Sequence, residues 1–317
     1  MTASLPERVW QVLACPDCGG SLDRGDAVVR CARCTEVYGY TAAGQLDLRP
    51  RRPRRHDVAF ELGSLLVPDV GIDFARLARK PAPEVDLTGV RIPKHLDADI
   101  LSHFPRARTQ ESLALDLGCG DGLHREICEH AGFVYVGLDS QGTGARLLGD
   151  AHALPFRDES FEFALSVSVL EHIRYPFVMA KELFRVLRTS GRVVGTVAFL
   201  EPYHGQSLYH HTHLGVYNTL AFAGFRIETI APSKSWSILS APATLALFPG
   251  LPKAVCKALM LPVTLLHRAW WRLQRLTSGD ERWSEQQRML AVTGAFTFIA
   301  RKACRLRSAR PAGLVSA

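Results

Sequence analysis

Residues 111–303 predict an α/β fold, a mostly parallel sheet covered by helices. Three patterns carry this. From Ser112 onward, short apolar runs alternate with helix-length stretches, the rhythm of βαβ units. The first run, Leu113 to Leu117, ends in glycines at alternating positions, Gly118, Gly120 and Gly122, where a backbone can approach a ligand closely. Ahead of this domain stand two C-x-x-C pairs, the mark of a small metal-held module rather than of a core.

The 317 residues suit one such domain plus a satellite. With 47% hydrophobic and 22% charged residues, a large core is available and wholesale disorder is excluded. The net charge of +7 is gathered at residues 49–55, 268–275 and 301–310, which admits anionic partners without choosing among them. The start of the chain lacks a basic segment followed by an apolar one, so no signal peptide is expected. Four of the eight cysteines are scattered (Cys119, Cys128, Cys256 and Cys304), which suits a reduced, cytoplasmic protein better than a disulfide framework. The longest uncharged stretch, residues 235–252, holds three prolines and a glycine and is not expected to span a bilayer.

Residues 1–48 read as the satellite. Cys15-Pro-Asp-Cys18 and Cys31-Ala-Arg-Cys34 offer four thiolates, a closed tetrahedral set that suits structural Zn²⁺. Gly19 and Gly20 allow the reversal after the first pair, and residues 27–30 read as a short strand. With the strand-turn-strand pattern of residues 38–48, the segment resembles the zinc ribbons of the tRNA-methyltransferase activator type. Residues 49–55, Arg-Pro-Arg-Arg-Pro-Arg-Arg, disfavour helix and sheet and read as an exposed linker. From there to about residue 110, five prolines leave room for short helical pieces at 74–79 and 95–102, a cap over the catalytic domain.

Leu113-Ala-Leu-Asp-Leu-Gly-Cys-Gly-Asp-Gly122 has the spacing G-x-G-x-G with Asp116 two residues before the first glycine. Dinucleotide dehydrogenases use G-x-G-x-x-G instead. This run resembles the first motif of class I S-adenosylmethionine-dependent methyltransferases. The next elements agree in order: a second strand ending at Asp139, the segment Gly149-Asp150-Ala151-His152, a fourth strand running through Ser166 to Glu171-His172, and a fifth from Arg192 to Phe199. From residue 112 to about 231 the succession resembles the quinone-biosynthesis and small-molecule type. The resemblance implies a Rossmann-like, seven-stranded methyltransferase sheet. It also implies a cofactor held by Asp116, Gly118, Cys119, Gly120, Asp139, Ser140, Asp150, Ala151 and Ser166. Asp139 would take the ribose hydroxyls, and Asp150 with neighbouring backbone would meet the adenine amine. The chain departs from the family between Asp139 and Asp150, where only ten residues stand in place of a helix and a third strand. The helix must shrink to a turn, with a short strand at 146–148.

Methyl transfer places a nucleophile in line with a sulfonium methyl, and a hydroxyl acceptor must also lose a proton. Candidates for that proton are His204, preferred, then His172 and His211; all follow the fourth or fifth strand. Hydrogen bonds that merely orient the loop would use the same residues, and Thr212 can cap a helix at 213–223. A second, catalytic metal at these histidines is disfavoured because no carboxylate cluster accompanies them in sequence.

The sheet continues at residues 225–230 and closes at 295–300, with an insertion at about 240–290. There Lys253, Lys257, Arg268, Arg272 and Arg275 fall near one helical face, Leu259, Val263, Leu266, Trp270 and Leu273 on the other, with a kink expected at Pro262. This suits a lid, an oligomer contact, or peripheral binding of 253–276 at an inner membrane surface. Residues 304–317 read as a basic tail. Taken together, the sequence points to methylation of a small-molecule acceptor, with a hydroxyl of a sugar, secondary metabolite or lipid-linked intermediate foremost. The alternative is an RNA methyltransferase whose ribbon and linker grip phosphates. The absence of an Asn/Asp-Pro-Pro-Tyr-like motif after the fourth strand speaks against it. The acceptor and the oligomeric state are not legible.

Overall fold

The computed structural model describes residues 5–59, 84–93, 95–233 and 236–303. The helical piece expected at 74–79 and the basic tail lie outside these residues.

The N-terminal module opens with a short helix, α1 (Glu7–Trp10), and a three-stranded antiparallel sheet of β1 (Leu22–Arg24), β2 (Val28–Cys31) and β3 (Val37–Gly39). In β2 the side chains alternate, Val29 and Cys31 inward and Val28 and Arg30 outward, as a sheet with one solvated face requires. A fourth strand, β4 (Leu46–Asp47), leaves this sheet and joins the large one.

The large sheet comprises β5 (Leu113–Leu117), β6 (Val134–Asp139), β7 (Leu147–Leu148), β8 (Phe161–Val167), β9 (Leu187–Ala198), β10 (Phe225–Pro232) and β11 (Ala295–Lys302). Its order is β10-β11-β9-β8-β5-β6-β7-β4, parallel except for β11, which runs antiparallel to both neighbours. It is the expected Rossmann-like sheet, with eight strands where seven were expected. The eighth is β4, in register with β7 through Leu46–Leu147 and Asp47–Leu148. β4 is the second strand of the pattern expected at residues 38–48, and its pairing with β7 of the large sheet is what the sequence did not show. The ribbon is therefore built into the domain rather than tethered to it. Leu13 bridges Phe156, the Ala14 amide donates to the Pro155 carbonyl at 2.9 Å, and Val9, Leu13, Val29, Tyr38, Leu46 and Leu48 share one core with Leu113, Leu115 and Leu117. On the other face Ala114, Phe163, Leu165, Val194 and Ile299 pack with Ile100 and Phe104 of the segment around α2 (Ala98–Leu101).

The strands on either side of β5 were laid down in opposite directions along the sheet, β6 to one side and β8 to the other. The carboxyl end of β5 is thus the crevice where open α/β sheets take ligands. The helices between these strands are α3 (Arg125–His130), α4 (Pro176–Val186) and α5 (His213–Ala223), the last as expected and capped by the Thr212 hydroxyl, which accepts from the Gly215 amide at 3.1 Å.

In the insertion, Pro262 does not kink a helix. It opens a new one, because a first-turn position has no intrahelical amide to lose. Hence α6 (Lys253–Leu259) ends and α7 (Leu261–Ser278) begins across Met260, followed by α8 (Glu285–Val292). No residue of α7 is buried. Thr264, His267, Trp271 and Gln274 are its half-covered side, with Trp271 against Trp283 at 5.0 Å, while Leu266, Trp270, Leu273 and Leu276 are exposed. Among the described residues no helix is long and apolar enough to cross a membrane.

Candidate functional site

The turn after β5 is shaped by left-handed backbone at Gly118, Gly120 and Gly122, with φ of 71°, 50° and 72°. A side chain at 118 would strike Val169, whose Cγ2 lies 2.5 Å from the added Cβ, whereas among the described residues nothing stands within 4 Å above Gly120. The turn therefore offers open space over its middle glycine. Asp116 lies beneath it, 1% exposed, accepting from the Tyr135 hydroxyl at 2.7 Å and from Nδ1 of His124 at 3.1 Å. Its place is a buttress under the turn, not its open face. Cys119 is buried with Ala145 and Leu148, its amide donates to the Leu138 carbonyl at 3.2 Å, and burial pushes its thiol up to about 12.

Asp139 ends β6 beside this turn. One oxygen accepts from the Gly120 amide at 2.9 Å, the other from the amides of Gln141 and Gly142 at 3.0 and 2.8 Å. A carboxylate has about four acceptor positions, so roughly one remains for a ribose hydroxyl. Ser140 is exposed next to it.

The shortened connection has indeed lost its helix. Residues 140–146 fold back on the glycine turn, where the Gly144 amide donates to the Gly120 carbonyl at 3.1 Å and the Thr143 hydroxyl to Asp121 at 2.5 Å. A Cβ at residue 144 would sit 2.1 Å from the Asp121 carbonyl carbon, which leaves glycine alone there. The N-terminal module then closes the gap: Gln45 Nε2 donates to the carbonyls of Gly142 and Ala145, both at 2.8 Å, and Arg49 reaches the Ser140 carbonyl at 3.4 Å. Gln45 and Arg49 were missed by sequence reasoning because nothing local marks a residue that acts about a hundred positions away.

Asp150 is tied to His152, whose Nδ1 and amide lie 2.6 and 2.9 Å from one carboxylate oxygen; the histidine contact holds the carboxyl below its usual range, against burial. Ala151 is half-buried beside it. Ser166 is wholly buried in β8 with its hydroxyl unpaired, so its side chain does not face the crevice. Two residues later Ser168 is exposed, with a left-handed φ of 55° and its amide on the Thr196 carbonyl at 3.1 Å.

The histidines gather where the 3-10 turn Leu170–His172 meets the loop after β9. The carbonyl of Glu171 accepts from the amides of Leu208 and Tyr209 at 2.7 and 3.1 Å, stitching the two together. Left-handed Gly205 and Gln206 turn the loop so that the rings of His172 and His204 stand 5.5 Å apart, edge to face. His204 donates from Nδ1 to the Pro202 carbonyl at 3.0 Å, which leaves its Nε2 as the lone-pair nitrogen. Glu201 is 3.7 Å from that Nε2 and accepts from Trp236. Burial, then the neighbouring His204, pulls the His172 pKa down. His211 is set apart, buried under the loop with Nε2 unpaired, and burial lowers its pKa too. Glu171, which with His172 follows the fourth strand, is 0% exposed, and burial pushes its carboxyl up to about 7.

The four cysteines converge as expected, with sulfur atoms within 4.8 Å of one another, Cys15–Cys34 at 3.6 Å and Cys18–Cys31 at 3.5 Å. A tetrahedral shell with Zn–S bonds of about 2.3 Å needs sulfurs about 3.8 Å apart. Amides of Gly20, Arg33 and Cys34 point at Cys18 and Cys31 sulfurs at 3.3–3.5 Å, as thiolates would want. A Cβ at Gly20 would lie 2.9 Å from Cys31 Sγ. The arginine segment is strapped to this module rather than loose: Asp17 accepts from the amides of Arg51 and Arg52 at 3.1 and 3.0 Å, and Arg49 and Arg52 pair with Asp47 and Glu36.

Residues 115–195 match the family model described as a methyltransferase domain. Over 136 residues the chain is 30% identical to an uncharacterized methyltransferase of Mycobacterium marinum, an alignment covering 37% of this chain and 53% of that protein. The chain thus spans about half the length of the curated relatives it matches. Among solved structures, the [4+2]-cyclase SpnF is similar at 17% identity, covering 63% of this chain and 76% of that one, TM-score 0.40. Phosphoethanolamine N-methyltransferase 2 of Haemonchus contortus, in complex with S-adenosyl-L-methionine, is similar at 18% identity, 63% and 50% coverage, TM-score 0.39.

Proposed function

We propose that the chain is an S-adenosylmethionine-dependent methyltransferase acting on a hydroxyl of a small molecule: a sugar, a secondary metabolite or a lipid-linked intermediate. The observation that carries this is the placement, at one carboxyl edge of the sheet, of an open glycine turn beside Asp139 and, across β8, the histidine cluster. The open space over Gly120, the free position of Asp139 and the backbone at Asp150 and Ala151 form the cofactor cradle. Bound there, the cofactor would supply a sulfonium methyl group, which the acceptor oxygen takes in line as the carbon–sulfur bond breaks and the thioether leaves. The lone pair on His204 Nε2 is the group for the acceptor's hydroxyl: it takes the proton directly or holds a cation that makes the proton easier to lose. His172 stands next to it. His211 orients the loop.

The four thiolates suit a structural Zn²⁺, whose place in the reading is to hold the module that presents Gln45 to the cofactor loop. The exposed apolar strip of α7, flanked by Arg268, Arg272 and Arg275, suits contact with an anionic bilayer, where a lipid-linked acceptor would be met. A lid has less support, since α7 leaves that strip uncovered. The RNA reading is also weaker, because Arg49 and Arg52 already have acidic partners. The test is transfer of labelled methyl from the cofactor to fractionated metabolites, lipids and RNA. Label in a small-molecule or lipid fraction supports the reading, and label confined to RNA overturns it.

A further inference from the structure

Glu171 is 0% exposed, and among the described residues neither carboxylate oxygen has a partner at full hydrogen-bond geometry, the amides of Glu171 and Ala198 lying only near enough to favour its charged form. Buried carboxylates are ordinarily paired, hydrogen-bonded or bound to a cation, because nothing else replaces the lost water. Its neighbours are donors of lone pairs. Nδ1 of His172 is buried and unpartnered, and His204, with Nδ1 committed to the Pro202 carbonyl, directs a free lone pair from Nε2. A carboxylate oxygen of Glu171 and one nitrogen from each histidine lie within 4.8 Å of one another. The groups converge on a common point without bonding to one another. Glu201 adds a second carboxylate beside His204, 3.7 Å from its Nε2, so two acids and two imidazoles share one site.

We propose that Glu171, His172 and His204 bind a divalent first-row transition ion, separate from the ribbon zinc. One carboxylate and two imidazoles are a donor set such ions accept, and three protein ligands leave coordination positions open. The carbonyl that orients His204 is the outer-shell partner a ligand imidazole needs. Ligand bonds of about 2.1 Å place neighbouring donors about 3–3.5 Å apart, so binding draws the three groups together by about an ångström. The left-handed pair Gly205 and Gln206, on an otherwise solvated loop, is where that closure is taken up. At an open position the ion would hold the acceptor hydroxyl and lower its pKa, leaving His204 a ligand rather than the base. That use rests on the methyl-transfer reading; the binding does not. The pattern was hidden in sequence because the carboxylate it needs, Glu171, precedes His172 on a different loop from His204.

The test is a titration of the full chain, ribbon already loaded with zinc, with Mn²⁺ followed by electron paramagnetic resonance, and in parallel with Co²⁺ followed by its visible ligand-field bands. Neither readout depends on turnover. One further ion per chain is expected, without the thiolate charge-transfer band that cobalt in the ribbon would give. Glu171→Gln and His204→Ala should each weaken it by more than the roughly 10–100-fold that loss of an outer-shell group costs. The thermal midpoint and cofactor affinity of each variant report whether it is folded, and the partly exposed His204 carries the test if the Glu171 variant is not. Binding of neither ion, as a neutral, protonated Glu171 would give, overturns the proposal. So does equal binding by the wild type and a folded His204→Ala. Methyl transfer undiminished without a second metal would overturn the ion's catalytic use while leaving the methyltransferase reading standing, and the two titrations decide the binding by themselves.

Discussion

Gln45 Nε2 lies 2.8 Å from the carbonyl oxygen of Gly142, and the same amide group reaches Ala145 at the same distance. A residue of the N-terminal ribbon thereby fixes the loop whose amides hold Asp139. Gln45→Ala removes two hydrogen bonds worth about 1 kcal/mol each at most sites. Cofactor affinity should fall roughly 5- to 30-fold if the loop must then be ordered on binding. Calorimetry on a folded variant with unchanged affinity would separate the ribbon from the cofactor site.

The same relationship marks the limit of what the sequence disclosed. Strands β5, β6 and β8, the glycine turn and the Thr212 cap were legible because hydrophobic runs and turn residues encode them locally. The shortened connection was legible as a gap, since ten residues cannot hold a helix and a strand. What filled the gap was not: β4 pairs with β7, and Gln45 and Arg49 act on a loop far along the chain. Ser166 and Ser168 show a finer limit. A strand alternates faces, but which serine clears its end depends on one left-handed residue, Ser168, that composition does not mark.

The ribbon should carry one zinc per chain. Cys15→Ser with Cys31→Ser should abolish it, and Gly20→Ala should weaken it, because the new methyl lies against the sulfurs of Cys18 and Cys31. Metal analysis after dialysis against a chelator reads both. Full retention in the double serine variant would place the zinc elsewhere. Removing the metal should also lower cofactor affinity, since β4 and Gln45 lose their anchor.

Gly118→Ala meets Val169 at 2.5 Å and a φ of 71°. Overpacking and left-handed strain together should cost about 1–3 kcal/mol of stability. Adding Val169→Ala should restore only the steric part, leaving about 1 kcal/mol from the backbone. Denaturant unfolding of the two variants checks this; full recovery in the double variant would mean the turn relaxes its left-handed backbone.

Vesicle flotation addresses the insertion. With Leu266 and Leu276 exposed at 73% and 78% beside three arginines, the chain should bind anionic vesicles and not neutral ones. At about 1 kcal/mol per basic residue near such a surface, replacing Arg268, Arg272 and Arg275 by Gln should weaken binding by about a hundredfold. Leu266→Glu should do so without altering the cofactor site. Binding indifferent to lipid charge, or absent, would return the strip to an oligomer contact.

The most direct measurement of the central claim is a calorimetric titration of S-adenosylmethionine into the wild-type chain and into Asp139→Ala. The account predicts one site per chain in the wild type. In the variant affinity should be roughly ten- to a hundred-fold lower, the about 1.5–3 kcal/mol that losing a charged acceptor costs. A wild-type chain that binds no cofactor, or a folded Asp139→Ala that binds it as tightly as the wild type, would contradict it.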